Sequence, residues 1–229
     1  MSNGNHQETK TLIVGAGIVG ASIAYHLARR GEDVLIVDRV GPAAGATGKS
    51  FAWINAHHFK QPDYHRLRYQ SLAEYHRLER ELEGSLGLNW CGALSFDAVG
   101  DAFDQRFEGF RRLGYPVEVI SHNRFRKLEP NYGHPPGRAL HLSLEAAVDP
   151  VCACTALIDA AVQHGAQTLF GSDVIALKTD QRCLTGLETS EGTIQAKRIV
   201  IAAGTGAEAI LQSVDIDLPM ANQSGVLLK

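Results

Sequence analysis

Residues 11–38, Thr11-Leu-Ile-Val-Gly15-Ala-Gly17-Ile-Val-Gly20 through to Val34-Leu-Ile-Val-Asp38, decide the fold. Leu12, Ile13 and Val14 are β-formers. Three glycines then turn the chain into an Ala-rich helix, and a second apolar strand ends on an acid. Gly15 permits the sharp turn. Gly17 has no side chain, so a pyrophosphate can approach the backbone at the positive end of the helix, and Gly20 lets helix and strand close together. Asp38 follows Gly15 by 23 residues, close to the offset of about 20 for an acid that accepts hydrogen bonds from ribose hydroxyls.

A lone G-x-G-x-x-G is a weak signal, but here strand, helix, second strand and acid are all present. Ala21, Ala24 and Ala28 give the helix a narrow face for the sheet, and Gly31 ends it. The stretch predicts binding of a dinucleotide that contains adenosine diphosphate. By itself it does not choose between FAD and NAD.

Composition narrows the class. Of 229 residues, 45% are hydrophobic and 21% charged, which is the balance of a globular protein with a sizeable core. A net charge of −3 gives no reason to expect a nucleic-acid partner. No run approaches the roughly 18 apolar residues of a membrane span, and the polar first residues lack a secretory h-region. Cys91, Cys152, Cys154 and Cys183 lack zinc or redox spacing, so a reducing, cytoplasmic setting is expected, with Cys152 and Cys154 as small packing residues in a helix. The ten histidines show no metal-binding helix pair, and no metal site is expected.

Residues 1–9 read as a disordered tail. Gly41 to Ser50 is a run of small residues leaving the carboxyl end of the second strand, where α/β sheets place ligands. The spacing predicts a helix over 63–83 with Asp63 as N-cap and a stripe of Leu72, Tyr75, Leu78 and Leu82. Trp90 to Phe96 reads as one strand. A helix over 101–113 carries Phe103, Phe107 and Phe110. Val117 to Ile120 is a strand, Ser121 caps a helical turn to Leu128, and Arg138 to Leu144 alternates like a strand. Asp149-Pro150 opens another helix, ended by Gly165. Strands follow at 166–170, 174–179, 184–189 and 193–196. Lys197 to Gly204 reads as a separate buried strand running into a small-residue turn, then a short helix over 207–211. A last strand begins at Gly225. The β/α units at both ends, with mixed elements between them, predict an α/β fold carrying an inserted second domain.

Four segments together resemble the FAD-dependent oxidoreductases of the D-amino acid oxidase superfamily, the group that includes glycine oxidase and sarcosine oxidase. They are Gly15–Gly20 with Asp38-Arg39, Gly45-Ala-Thr-Gly-Lys-Ser50, Glu145-Ala-Ala-Val-Asp-Pro150 and Ile199-Val-Ile-Ala-Ala-Gly204. The resemblance implies a Rossmann-like FAD-binding domain with a parallel sheet, built from 10–60 and 145–215. It implies an α+β substrate domain from 61–144 and 216–229. It implies that Gly15, Gly17 and Gly20 hold the pyrophosphate, that Ile18 and Val19 offer backbone N–H groups, and that Asp38, beside Arg39, meets the adenosine ribose. Ala46, Thr47 and Ser50 would meet phosphate or flavin, Val174 would lie against adenine through its backbone, and Ala202, Ala203 and Gly204 would pass close to the nucleotide. Ser50-Phe51-Ala52 stands where some relatives bond flavin through a histidine, so no such bond is expected there.

The implied chemistry is oxidation of a C–N bond in an amine or amino acid by hydride transfer to flavin. No catalytic residue can be assigned, and no Arg stands out as a carboxylate anchor. Family members are longer, which predicts that this chain is a piece of a larger enzyme, that it binds FAD loosely alone, and that a partner chain could supply the rest. An NAD-dependent dehydrogenase and a non-catalytic nucleotide-binding subunit remain as alternatives.

Overall fold

The computed structural model describes residues 9–57, 60–181, 183–221 and 225. In chain order the elements are β1 (Thr9–Val14), α1 (Ile18–Ala28), β2 (Val34–Asp38), β3 (Trp53–Ile54), α2 (Pro62–Glu81), β4 (Leu88–Asn89), β5 (Ala93–Ser95) and α3 (Asp101–Arg112). They continue with β6 (Glu118–Ser121), α4 (His122–Leu128), β7 (Arg138–Leu142), β8 (Ala146–Val148) and α5 (Pro150–Gln163). The last are β9 (Gln167–Phe170), β10 (Val174–Asp180), β11 (Cys183–Thr189), β12 (Gly192–Ile201) and α6 (Ala207–Gln212). The chain divides into two compact units. The first draws on Met1–Phe51, Ser85–Gly87 and Asp149–Lys229, and the second on Ala52–Gly84 and Leu88–Val148.

The first unit is built on a six-stranded sheet in the order β10-β11-β12-β1-β2-β9. Strands β12, β1, β2 and β9 run parallel, and β10 and β11 add an antiparallel margin. Leu12 and Val14 share one face of β1 and pack in a cluster with Val37, Leu187, Ile194 and Ile210 of α6. Ile13 points to the opposite face, as strand alternation requires, and is equally inaccessible. Both faces of the central strands are therefore covered, as expected for parallel strands that read as unbroken apolar runs. The architecture is the predicted α/β one, with a parallel Rossmann-like sheet.

Several local expectations change. Strand β12 is one ten-residue strand, not two. Its first part pairs antiparallel with β11, and from Ala196 onward it pairs parallel with β1. Helix α1 packs against α5 as well as against β1 and β2, and not on the sheet alone. Alanine lets two helices approach closely. In α5 the Asp149 carboxylate accepts from the Val151 and Cys152 amides as an N-cap, with Pro150 at the first position. Cys154 is buried there, but Cys152 is exposed and does not pack as expected.

The second unit holds two three-stranded sheets, β3-β8-β4 and β5-β7-β6, with α2, α3 and α4. Helix α2 starts a residue earlier than expected. Gln61 is its N-cap, Pro62 occupies the first turn, and Asp63 lies inside that turn. The expected strand Trp90 to Phe96 is confined to its centre. Leu88–Asn89 pairs with β8, Ala93–Ser95 pairs with β7, and Gly92 breaks the run at φ +73°. Glu145 precedes a short strand, β8, before α5 begins. Ser121 caps α4 as expected, accepting from the Arg124 amide. The strand expected from Gly225 onward lies almost wholly outside the described residues.

Candidate functional site

Within the first unit, three chain segments meet at the amino end of α1. The Gly15 amide donates to the Val37 carbonyl and the Ala202 amide to the Val14 carbonyl, so the glycine turn is pinned between its two sheet neighbours. A Cβ on Gly15, where φ is +109°, would overlap the Ala202 carbonyl, and one on Gly20 would overlap the Gly15 carbonyl. The turn thus requires glycine for conformation at the first position and for space at both.

The small-residue loop closes the other side. Thr47, at the start of a short 3-10 turn over Thr47–Lys49, accepts through its hydroxyl oxygen from the Ile18 amide at 3.0 Å. A Cβ on Gly17 would sit 3.2 Å from that same hydroxyl. Helix α1 has Gly17 as N-cap, no side-chain cap and no acidic residue in its first turn. The Ile18 amide is taken by Thr47, but no acidic side chain stands in the first turn itself, so the positive end of the helix beyond Ile18 suits a phosphate group. Val19 is exposed at this end and Gly20 is buried.

Asp38 does more than terminate β2. Its Oδ2 accepts from the Ala16 amide at 2.8 Å, and its Oδ1 accepts from the Val40 and Gly41 amides at 2.8 and 2.9 Å. The carboxylate clasps the glycine turn to the next loop. A carboxylate has about four acceptor sites, so Oδ2 keeps one for a further donor. The Asp38 carbonyl accepts from the Ser172 amide, which brings the segment before Val174 alongside. Val174 itself packs partly buried against the sheet core. Arg39, Ala46, Ser50 and Gly204 are exposed, and Ala202 and Ala203 half-buried.

Two further residues at this site were not among those expected there. Ala16 is a junction whose carbonyl accepts from the Ala43 amide at 3.0 Å and from the Cys154 thiol at 3.2 Å. Burial, then the nearby Asp38 charge, pushes the Cys154 thiol up, so it stays protonated and packs without acting as a nucleophile. Gly48 is the second, since a Cβ there would overlap the Ala43 carbonyl.

A separate polar cluster lies inside the second unit. Glu145 is fully buried and accepts from the Tyr115 hydroxyl at 3.2 Å. His57 Nδ1 lies 3.9 Å from Glu145 Oε1, and the His57 ring stacks on Trp53 at 4.5 Å. Burial pushes the Glu145 carboxyl up to about 7, against the pull of Tyr115, the Ala56 amide, Trp53 and Arg68. The same burial, reinforced by Glu145, raises the Tyr115 hydroxyl, which therefore stays a donor. Among the described residues no group of three His, Cys, Asp or Glu side chains is placed to hold a metal ion. No described helix is long and apolar enough to cross a membrane.

Against known proteins, residues 10–229 match the family described as FAD dependent oxidoreductase, the D-amino acid oxidase group. The chain belongs to that family. It is 28% identical over 232 residues to the uncharacterized oxidoreductase YurR of Bacillus subtilis, covering 95% of this chain and 60% of YurR. It is 27% identical over 216 residues to the mitochondrial dimethylglycine dehydrogenase of Rattus norvegicus, covering 92% of this chain and 25% of that protein. The crystal structure of glycine oxidase from Geobacillus kaustophilus superposes with a TM-score of 0.82 at 25% identity, over 92% of this chain and 59% of that one. The chain therefore spans well under two thirds of these relatives. FAD is the cofactor of this FAD dependent oxidoreductase family, and the nicotinamide alternative gives way to it.

Proposed function

We propose that this chain belongs to an enzyme that oxidises the C–N bond of an amine or amino acid by hydride transfer to FAD. The reading rests on one observation above all. The glycine turn, the Thr47 loop and the Ala202–Gly204 turn converge on the head of α1, whose first turn carries no acidic side chain. On this reading the first unit is the FAD-binding domain and the second contributes to the substrate domain. Gly15 and Gly20 let the turn close, Gly17 leaves the pyrophosphate room to approach, and Ile18, Val19 with its backbone amide, and the loop residues Ala46, Thr47 and Ser50 surround it. Asp38 offers its remaining Oδ2 acceptor to the adenosine ribose. Arg39 and the Val174 backbone border the adenosine, and Ala202, Ala203 and Gly204 floor the cleft. When bound, the flavin accepts the hydride. Relatives named glycine oxidase and dimethylglycine dehydrogenase favour a C–N donor.

The test is flavin titration followed by anaerobic mixing with candidate donors. FAD is expected to bind and NADH not to. Bleaching of the visible flavin absorbance is expected with glycine, N-methylglycines or other amino acids. Bleaching by 2-hydroxy acids or polyols alone would overturn the C–N reading, and NADH binding in place of FAD would overturn the cofactor assignment.

A further inference from the structure

Among the described residues, Glu145 is the only acidic side chain that is fully buried, and nothing in the flavin reading uses it. Its neighbours all belong to the second unit. Tyr115, before β6, donates its hydroxyl at 3.2 Å, and His65 and Tyr69 of α2 pack their rings on Tyr115. Arg68 of α2, which donates to the Asn55 carbonyl and side chain, favours the carboxylate, as do Trp53 and the Ala56 amide. His57 completes the set, with Nδ1 at 3.9 Å from Glu145 Oε1.

His57 links this buried group to open space. Its Nδ1 is buried and its ring stacks on Trp53, with centroids 4.5 Å apart, yet 33% of its side chain is exposed. The exposed part is therefore the far side of the ring, which carries Nε2. His57 also lines a cavity of about 380 Å³ within the second unit, with Trp53, Phe96, Phe110, Asp97 and Arg106 among the other walls. Asp97 and Arg106, the charged members, are hydrogen-bonded to one another, Nη2 to Oδ2 at 3.2 Å. An imidazole takes a proton at one ring nitrogen and gives one from the other, and it does so near neutral pH. Burial sets the Glu145 carboxyl at about 7, so it too gains and loses its proton in that range. The 3.9 Å gap is longer than a hydrogen bond, as is common for such pairs before a ligand closes the site.

We propose that Glu145 and His57 are a proton relay of the second unit, in which the buried carboxyl stores a proton and the imidazole exchanges it with a ligand in the cavity. In the outward step the Glu145 O–H bond breaks as an Nδ1–H bond forms, and the Nε2–H bond breaks as its proton passes to a basic atom of the ligand. The inward step reverses each bond, and no electron changes hands. Glu145 acts through His57 and is a positioning residue, while His57 is the group that meets the ligand. The relay lies wholly inside the second unit and needs no nucleotide, so it stands independently of the flavin reading.

The experiment uses the whole chain without FAD. Trp90, which donates to Glu79, is replaced in W90F, so that Trp53 is the only indole left. An imidazolium stacked on an indole quenches its emission more than a neutral imidazole does, so Trp53 emission reads the proton on His57. Between about pH 5 and 9, W90F is expected to titrate in two coupled steps. W90F/E145Q is expected to show one step, lower by about one pH unit, because the carboxylate that favours the imidazolium is gone. Diethyl pyrocarbonate, which acylates unprotonated imidazole, is expected to label His57, as read by mass spectrometry, and to label it about tenfold faster in E145Q at the acid end. Tyr115→Phe removes a donor that favours the carboxylate, so the carboxyl step of W90F/Y115F is expected at higher pH, and this variant tests the relay even if E145Q fails to fold. Superimposable titrations of W90F and W90F/E145Q, an unlabelled His57 in the folded chain, or an unmoved carboxyl step in W90F/Y115F overturns the proposal. A structural role alone would move melting temperatures and leave these titrations in place. No flavin and no donor enters the measurements, so their failure and failure of the C–N reading are separate results.

Discussion

The Ile18 amide and the Thr47 hydroxyl, 29 residues apart in sequence, lie 3.0 Å from one another. The bond ties the first residue of α1 to the loop that leaves β2, and so fixes the entrance to the glycine turn. Thr47→Val keeps the shape and removes the acceptor. Net loss of such a bond costs about 1 kcal/mol, or roughly fivefold in affinity where the loop must be ordered for binding. FAD titration of T47V is expected to show that weakening, and T47S is expected to restore most of it. Equal affinity in all three would detach Thr47 from cofactor binding.

Gly20 makes a sharper case. Its missing Cβ would collide with the backbone carbonyl of Gly15, which no rotamer change can relieve. Gly20→Ala must therefore open the turn or part α1 from the sheet, and overpacking of this kind costs about 1–3 kcal/mol or more. The expected outcome is a large drop in melting temperature together with loss of FAD binding. Gly31→Ala is the contrast. Gly31 has φ +80° with nothing near its Cβ position, so G31A is expected to cost about 1 kcal/mol in conformational strain. FAD affinity should stay unchanged in that variant.

These contrasts mark what a sequence can disclose. The conformational demand on Gly15 and the spatial demand on Gly20 are local, because they arise within one β-turn-α unit, and the motif exposes them; the Ala202 carbonyl that also excludes a side chain at Gly15 comes from far along the chain. Strand β12 was hidden because it changes partners at Ala196, from antiparallel β11 to parallel β1, and its burial pattern changes with it. The run Trp90 to Phe96 looked continuous because its apolar residues say nothing of Gly92, which at φ +73° confines the strand to Ala93–Ser95 and separates it from Leu88–Asn89 in the other sheet. Pro62 outranked Asp63 at the head of α2, since its fixed φ is already helical. Glu145 gave no sign of its burial. Its Tyr115 partner is 30 residues away, and only the folded second unit brings them together.

Asp38 separates two roles that the motif alone merges. Its carboxylate accepts three backbone amides, from Ala16, Val40 and Gly41, with no nucleotide involved. Asp38→Ala should therefore destabilise the FAD-free chain by about 1–2 kcal/mol, as the partly buried Ala16 and Gly41 amides and the exposed Val40 amide lose their acceptor. Asp38→Asn keeps one acceptor oxygen and is expected to fall between. Thermal melts without FAD read the clasp, and FAD titration of D38N reads the ribose contact. A D38A chain as stable as wild type would deny the clasp.

Glu145 sets a pH dependence with a definite sign. Its carboxyl, ordinarily near 4.5, stands at about 7 in the fold, chiefly because burial penalises its charge. Between those values the folded chain keeps a proton that the unfolded chain has released. Stability is therefore fullest below pH 4.5 from this group, falls as pH rises towards 7, and levels off above. The whole change amounts to roughly 3 kcal/mol at 1.36 kcal/mol for each pKa unit. Glu145→Gln keeps an acceptor for the Tyr115 hydroxyl and cannot ionise. Urea unfolding at a series of pH values from 5 to 8 is expected to show wild-type stability declining relative to E145Q, with the variant the more stable at the alkaline end. Parallel curves for the two chains would mean that Glu145 is charged in the fold throughout, with burial overcome by its neighbours.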